Sequence, residues 1–215
     1  MYKKKSFFVV FEGIEGCGKS YQTKKLYNNI RKLNIPVQIT REPGGTKSAE
    51  RIRDIILKDY FYRNPKENFD KYTDTLLYLA ARNEHVIKKI KPALKKKKLL
   101  ICDRFIDSTL AYQIYGKGVD KKFVDNIHKK ILSNIKPNLT ILLKVKISKA
   151  IERLRKRKKK NRYDKFPKKF YNKAQKDFIN IAKKNKKSHI IFESSLDSKD
   201  LEKKILRLIL KKIQY

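Results

Sequence analysis

The sequence predicts a three-layer α/β/α fold on a five-stranded parallel sheet, and three observations carry that reading. Five short apolar runs alternate with longer amphipathic stretches along the 215 residues, the order that builds strand–helix–strand crossovers. The runs are almost continuously apolar, as strands covered on both faces must be. A glycine-rich loop joins the first run to the first amphipathic stretch, where such sheets bind phosphate. The length suits one domain over residues 1–215.

The first strand is 7–12 (FFVVFE). The lysines before it give it a faint likeness to a secretory leader, but the run stops at Glu12-Gly13 without a small-residue cleavage site. Helical periodicity covers 18–33, followed by a strand at 37–41 (VQITR) and helical patterns at 46–58 and 70–94. A strand at 99–103 (LLICD) precedes helical patterns at 106–115 and 120–134. A strand at 139–145 (LTILLKV), helices at 147–158 and 167–185, a strand at 189–193 (HIIFE) and a helix at 198–212 complete the order. One segment departs from this alternation. Residues 153–162 (RLRKRKKKNR) are nearly all basic, which fits either a solvated helix end or a mobile lid over an anionic substrate.

The formal charge of +36 points first to nucleic acid or an anionic surface. Against a disordered basic tail stand 40% apolar residues with only 7 Gly and 6 Pro. The lysines are spread along most helices without interleaved aromatics, which predicts no specific nucleic-acid partner and only weak, salt-sensitive attraction. Because only 12 of the 57 basic residues are arginine, each arginine is informative: Lys replaces it as a point charge but not as a planar fork. No apolar stretch is long enough to span a bilayer, so no membrane partner is expected. Cys17 and Cys102 cannot make a disulfide framework, and no Cys/His cluster has zinc spacing. A reducing cytoplasm is the expected location.

Gly13-Ile14-Glu15-Gly16-Cys17-Gly18-Lys19-Ser20 fits G-x-x-x-x-G-K-[ST] at every fixed position, between a strand and a helix. Its backbone N–H groups and the helix N-terminus suit a nucleoside triphosphate, with Lys19 on the β- and γ-phosphates and the Ser20 hydroxyl on Mg²⁺. Cys17 within it reads as a small buried filler rather than a redox-sensitive thiol. Asp103, ending an apolar strand, is the second expected Mg²⁺ ligand, with a helix N-cap as the alternative reading.

Further blocks narrow the choice among nucleotide-binding proteins. FEGIEGCGKS at 11–20, TREPGGT at 40–46, YLAAR at 78–82, KPAL at 91–94, DRF at 103–105, STLAYQ at 108–113 and KPNLT at 136–140 occur in this order. Together they resemble the bacterial thymidylate kinases from end to end. The TREPGGT string is the most specific, and it argues against kinases of other monophosphates or of deoxynucleosides; the spread of lysines without interleaved aromatics argues against a nucleic-acid-binding ATPase.

The resemblance implies transfer of the γ-phosphoryl group of ATP to dTMP, giving dTDP, with Mg²⁺. It places Arg104 and Arg82 on the dTMP phosphate, a role suited to bidentate guanidinium. Tyr78, four residues before Arg82 on the same helical face, would stack on thymine, although a buried core aromatic is the plainer reading. Glu15 would lie near the sugar 3′-hydroxyl and the metal. Tyr112 and Gln113 would line the deoxyribose and base, with polar contacts from Ser108 and Thr109. Arg41 with Glu42 would order the turn that places Pro43 beside the acceptor. The basic segment becomes a lid over about 153–165, whose Arg153, Arg155, Arg157 and Arg162 match an R-x-R-x-R…D-R pattern. One of them would act as an arginine finger in cis; Arg153, Arg157 and Arg162 are catalytic candidates together with Lys19, Arg104 and Glu15. The chain departs from the pattern at Asn161, where Asp is usual, and at Asp164, where Glu is common. Glu193, Ser194, Ser195 and Leu196 would pass close to adenine, and a homodimer packed through helices is implied.

Overall fold

Five strands, β1 (Phe7–Glu12), β2 (Val37–Arg41), β3 (Leu99–Asp103), β4 (Leu139–Lys144) and β5 (His189–Glu193), pair in parallel in the order β2-β3-β1-β4-β5. The computed structural model describes residues 5–57, 68–158, 161–194 and 199–213, with the backbone alone at Lys165. In the register, Val9 at the centre of the sheet faces Ile101 on one side and Leu139 on the other.

The period of two along each strand divides the core into two layers. Val9, Phe11, Leu99, Ile101, Leu139 and Ile141 share one cluster with Leu26, Ile30, Phe178, Ile205 and Ile209. Phe8, Val10, Leu100 and Cys102 point the other way, onto Val86, Ile90, Ala93 and Leu132. Full burial of Phe8 and Phe11 stabilises the sheet by on the order of 1.5–3 kcal/mol each.

The helices are α1 (Lys19–Lys32), α2 (Lys47–Leu57), α3 (Lys71–His85), α4 (Lys91–Lys95), α5 (Ile106–Thr109), α6 (Tyr115–Lys117), α7 (Lys121–Leu132), α8 (Ile147–Arg155), α9 (Lys168–Lys184) and α10 (Lys199–Ile213). Among the described residues, side chains cap three of them: Thr46 accepts from the Ala49 N–H at 3.1 Å, Asp70 from the Tyr72 N–H at 2.7 Å, and Asp120 from the N–H groups of Lys122 and Phe123. π-helical turns at Val86–Ile90 and Leu110–Ile114 join α3 to α4 and α5 to α6. The second of these carries Tyr112 and Gln113; such widened turns frequently occur at functional sites.

The basic segment is less helical than its periodicity suggests. Helix α8 stops at Arg155, and the chain re-forms as a 3-10 turn at Arg162–Lys165. Residues 159 and 160 lie outside the described residues, as do 58 and 198 at the edges of two expected helices. Asn161 and Asp164, the two departures from the family pattern, form a reciprocal cap. The Asn161 side chain accepts from the Tyr163 N–H, and the Asp164 carboxylate accepts from the Asn161 N–H, both at 2.9 Å.

Strand β1 lies where the chain changes direction across the sheet, with β3 and β2 on one side and β4 and β5 on the other. The crevice beyond the carboxyl ends of such strands is the preferred ligand site of open parallel sheets. Among the described residues no helix is long and apolar enough to cross a membrane.

Candidate active site

A cavity of about 420 Å³ opens in that crevice. Residues of the 13–20 loop, the turn after β2, α3, the turn after β3 and the basic segment line it. The Lys19 ammonium curls back into its own loop, donating to the Gly13 and Ile14 carbonyls at 2.9 and 2.8 Å. The loop lies directly against α8. At Gly16, with φ of +74°, a Cβ would sit 2.6 Å from the Ala150 carbonyl oxygen, so any side chain would push α8 away. That close approach brings Arg153 to the loop, where its Nη1 donates to the Gly16 carbonyl at 2.8 Å. Ser194, expected near adenine, donates its hydroxyl to the Cys17 carbonyl at 2.5 Å; Ser195 and Leu196 lie outside the described residues. Cys17 is fully buried, as its filler reading requires. The two expected Mg²⁺ ligands meet: Ser20 Oγ donates to Asp103 Oδ2 at 2.5 Å.

On the acceptor side, Arg104 is the hub. Its Nη1 donates to the Gly13 carbonyl and to Ser108 Oγ, both at 2.9 Å, and its Nη2 to Glu15 Oε1 at 2.7 Å. The Tyr112 hydroxyl donates to the other Glu15 oxygen at 2.8 Å, and the Arg104 guanidinium lies 5.3 Å from the Tyr112 ring centroid. Burial alone would lower the Arg104 pKa, but Tyr112, Glu15, Glu12 and Asp103 outweigh it and hold the guanidinium firmly charged. Burial and the Glu15 carboxylate push the Tyr112 hydroxyl up, so it stays a donor. Tyr78 lines the cavity, with its hydroxyl 2.7 Å from that of Tyr163. Pro43, Ser108, Thr109 and Gln113 also line it.

Three arginines make contacts that the sequence did not predict. Arg82 lines the cavity, and each of its guanidinium nitrogens also has a protein acceptor. Nε donates to Glu42 Oε2 at 2.8 Å, Nη1 to Thr109 Oγ1 and His128 Nε2 at 2.8 and 2.7 Å, and Nη2 to the Phe105 carbonyl at 2.9 Å. Burial, then the Arg82 charge, lowers His128 to about 3, so its ring is a neutral acceptor. Arg41 pairs with Glu50 rather than acting with Glu42, and its side chain is 54% exposed. Glu50 also accepts from the Gly45 N–H at 2.8 Å, so Glu50 orders the turn after β2. Arg162 docks on Asp74 of α3, with its Nη2 3.2 Å from the Tyr163 hydroxyl, and does not line the cavity. Of the four arginines in the basic segment, Arg153 and Arg157 do line it, and Arg157 also pairs with Asp164 at 3.1 Å.

The family described as thymidylate kinase matches residues 11–205. The chain belongs to the thymidylate kinase family. A thymidylate kinase of Mycoplasma capricolum is 37% identical over 209 residues, covering 96% of each chain. One of Wolbachia pipientis subsp. Culex pipiens is 40% identical over 210 residues, covering 95% of this chain and 96% of the relative. The crystal structure of thymidylate kinase from Ehrlichia chaffeensis matches with a TM-score of 0.74 at 31% identity, covering 96% of this chain and 99% of that one. The family phosphorylates dTMP to dTDP (EC 2.7.4.9), and this kinase is a transferase of nucleotide biosynthesis.

Sequence reasoning missed three residues of the thymidylate kinase site. Arg53 lines the cavity and donates to the Pro43 carbonyl at 2.7 Å. Its signal was available: it is an arginine in a chain that uses lysine almost everywhere else. Asp74 receives Arg162 and, at 2.8 Å, Lys117; it lies one helical turn before Tyr78. Glu12 closes on the turn after β3; it falls inside the FEGIEGCGKS block, but its place at a strand end gave no sign of that contact.

Proposed function

We propose that this kinase transfers the γ-phosphoryl group of ATP directly to dTMP by in-line displacement, with the triphosphate on the 13–20 loop and the acceptor phosphate on Arg104. The observation that carries this reading is the Arg104 bridge. One guanidinium, carried by the turn after β3, contacts Gly13 and Glu15 of the donor loop and Ser108 on the acceptor side, which supports convergence of two anionic substrates on one fixed cation. Catalysis by positioning and electrostatics requires that convergence.

Gly13, Ile14, Glu15, Gly16, Cys17 and Gly18 form the loop around the phosphates, and Lys19 extends to the β- and γ-phosphates. Tyr78 stacks on thymine, while Tyr112, Gln113, Ser108 and Thr109 surround the sugar and base. Glu15, fixed by Arg104 and Tyr112, faces the 3′-hydroxyl. Pro43, Arg41 and Arg53 close the acceptor end. Arg82 organises the pocket wall. The adjoining Ser20 and Asp103 oxygens suit a hard divalent cation. Those two residues would hold Mg²⁺, which would supply positive charge to offset that of the phosphates.

Two free buried cysteines fit a reducing cytoplasm. Exposed Ile55 on α2 and Tyr72 and Leu76 on α3, two helices packed together, support a homodimer. Sedimentation equilibrium at micromolar concentration should return a dimer mass; a monomer at that concentration would contradict it.

Supplying purified protein with ATP, Mg²⁺ and one monophosphate at a time, while following ADP release, tests the substrate reading. dTMP is expected to be the best acceptor. dUMP, which lacks the base methyl group, should show a kcat/KM about tenfold or more lower. Equal turnover of AMP, CMP or GMP would refute the assignment.

A further inference from the structure

Glu12 ends β1 and is only 1% exposed, yet its carboxylate reaches across to the turn between β3 and α5. Oε1 accepts from the N–H groups of Phe105 and Ser108 at 2.7 and 3.2 Å, and Oε2 accepts from the Ser108 hydroxyl at 2.7 Å. With its hydroxyl hydrogen pointed at Glu12, the Ser108 oxygen offers lone pairs to Arg104, whose Nη1 donates to it at 2.9 Å. Arg104 needs such support. Its φ of +73° lies in the left-handed region that non-glycine residues rarely adopt, and its own N–H is bound to the Phe11 carbonyl at 2.9 Å.

The charged and titratable groups facing Glu12 are Asp107 of α5, Arg104 of the turn and Cys102 of β3. Asp107 is itself bonded to His189 of β5 at 2.9 Å. Burial, then the Asp107 charge, pushes the Glu12 carboxyl up to about 7, against the pull of Arg104 and of the bonds from Ser108 and Phe105.

We propose that Glu12 is a positioning residue for dTMP phosphorylation, fixing the Arg104 guanidinium through the Ser108 hydroxyl only while its carboxyl is ionised. The proposal rests on the reading that Arg104 holds the acceptor phosphate. A proton taken up from solvent gives Glu12 an O–H of its own. That O–H donates to Ser108 Oγ and competes with Arg104 for the same lone pairs. Acidification therefore weakens dTMP binding and leaves phosphoryl transfer from the bound state little changed.

Steady-state KM and kcat across pH for the wild type, Glu12→Gln, Ser108→Ala and Arg104→Ala test this. The glutamine amide donates to Ser108 as the protonated acid would, so Glu12→Gln is locked in the acidic form. At about pH 8.5 its KM for dTMP should be about tenfold above wild type, with kcat and KM for ATP within about twofold. The gap should close by about pH 5.5, and the comparison cancels titration of the dTMP phosphate itself. Ser108→Ala should raise KM for dTMP similarly, and the double variant should be no worse than either single one. If Glu12→Gln does not fold, the pH dependence of the Ser108→Ala gap carries the test, because loss of a direct Ser108 contact with dTMP would raise KM by the same factor at every pH. A wild-type KM in either variant, a gap constant with pH, or an equal rise in KM for ATP would overturn the proposal. Arg104→Ala with an unchanged KM for dTMP would overturn the underlying reading instead.

Discussion

Arg153→Ala is expected to lower kcat for dTMP phosphorylation by about 10³-fold, or about 4.1 kcal/mol of transition-state stabilisation, with KM for dTMP nearly unchanged. Geometry separates Arg153 from the other arginines of the basic segment. It alone touches the phosphate loop, through the Gly16 carbonyl, and it also faces the cavity. Arg157 divides its guanidinium between the cavity and Asp164, Arg162 is committed to Asp74, and Arg155 is exposed and outside the cavity lining. An interaction gained mainly as charge develops on the transferring phosphoryl group lowers kcat without weakening ground-state binding. Arg153→Lys should recover little, because an ammonium on a flexible stem does not reproduce a planar fork. Arg155→Ala should leave the kinetics unchanged. Single-turnover measurements of the three variants decide the matter: a loss below tenfold in Arg153→Ala would move the finger role to Arg157.

What could be read in advance follows the range of the interactions involved. Continuous apolar runs located all five strands, because a strand buried on both faces leaves no room for polar side chains. The one strand edge that moved has a local cause: the Val145 N–H bonds to Gln175 of α9 at 3.0 Å instead of extending β4. Helix α8 ended early where like charges crowd the chain after Arg155, since neighbouring lysines and arginines repel along a helix face. The two π-helical turns left no mark in the hydrophobic period. They keep the same face buried while shifting the register by a single residue.

In the site, residues fixed by local motifs fell where spacing put them: Lys19 and Ser20 in the loop, Asp103 at the end of β3, and Glu15, Arg104 and Tyr112 together. The carboxylate partners of Arg82 and Arg162 were not legible because they are distant in sequence. Glu42 precedes Arg82 by 40 positions, and Asp74 precedes Arg162 by 88. Only the folded chain shows those cations beside their carboxylates. Glu12 was invisible for the same reason, as its donors lie 93 and 96 residues away.

Glu42→Gln is expected to destabilise the fold by about 3–5 kcal/mol at neutral pH. The Glu42 side chain is 4% exposed and lies between two partners, with Oε2 against Arg82 and Oε1 3.0 Å from His85 Nδ1. Glutamine keeps the shape but turns one acceptor into an N–H₂ facing a donor, and it leaves the buried Arg82 charge without its counterion. Burial pushes the Glu42 carboxyl up, yet Arg82 and His85 hold it below its ordinary value of 4.5. A depressed folded-state value means that the contribution is fully present above about pH 4.5 and lost as pH falls through the lower folded value. The wild type should therefore lose stability in that acid window, while Glu42→Gln, with nothing to titrate there, should not. The gap between their urea-unfolding free energies should narrow accordingly. Because Arg82 also holds Thr109 and the Phe105 carbonyl, the variant should bind dTMP more weakly as well. Adding Arg82→Met to Glu42→Gln should restore part of the stability, since an apolar side chain needs no counterion. A loss under about 1 kcal/mol at neutral pH would show that Arg82 is neutralised by other means.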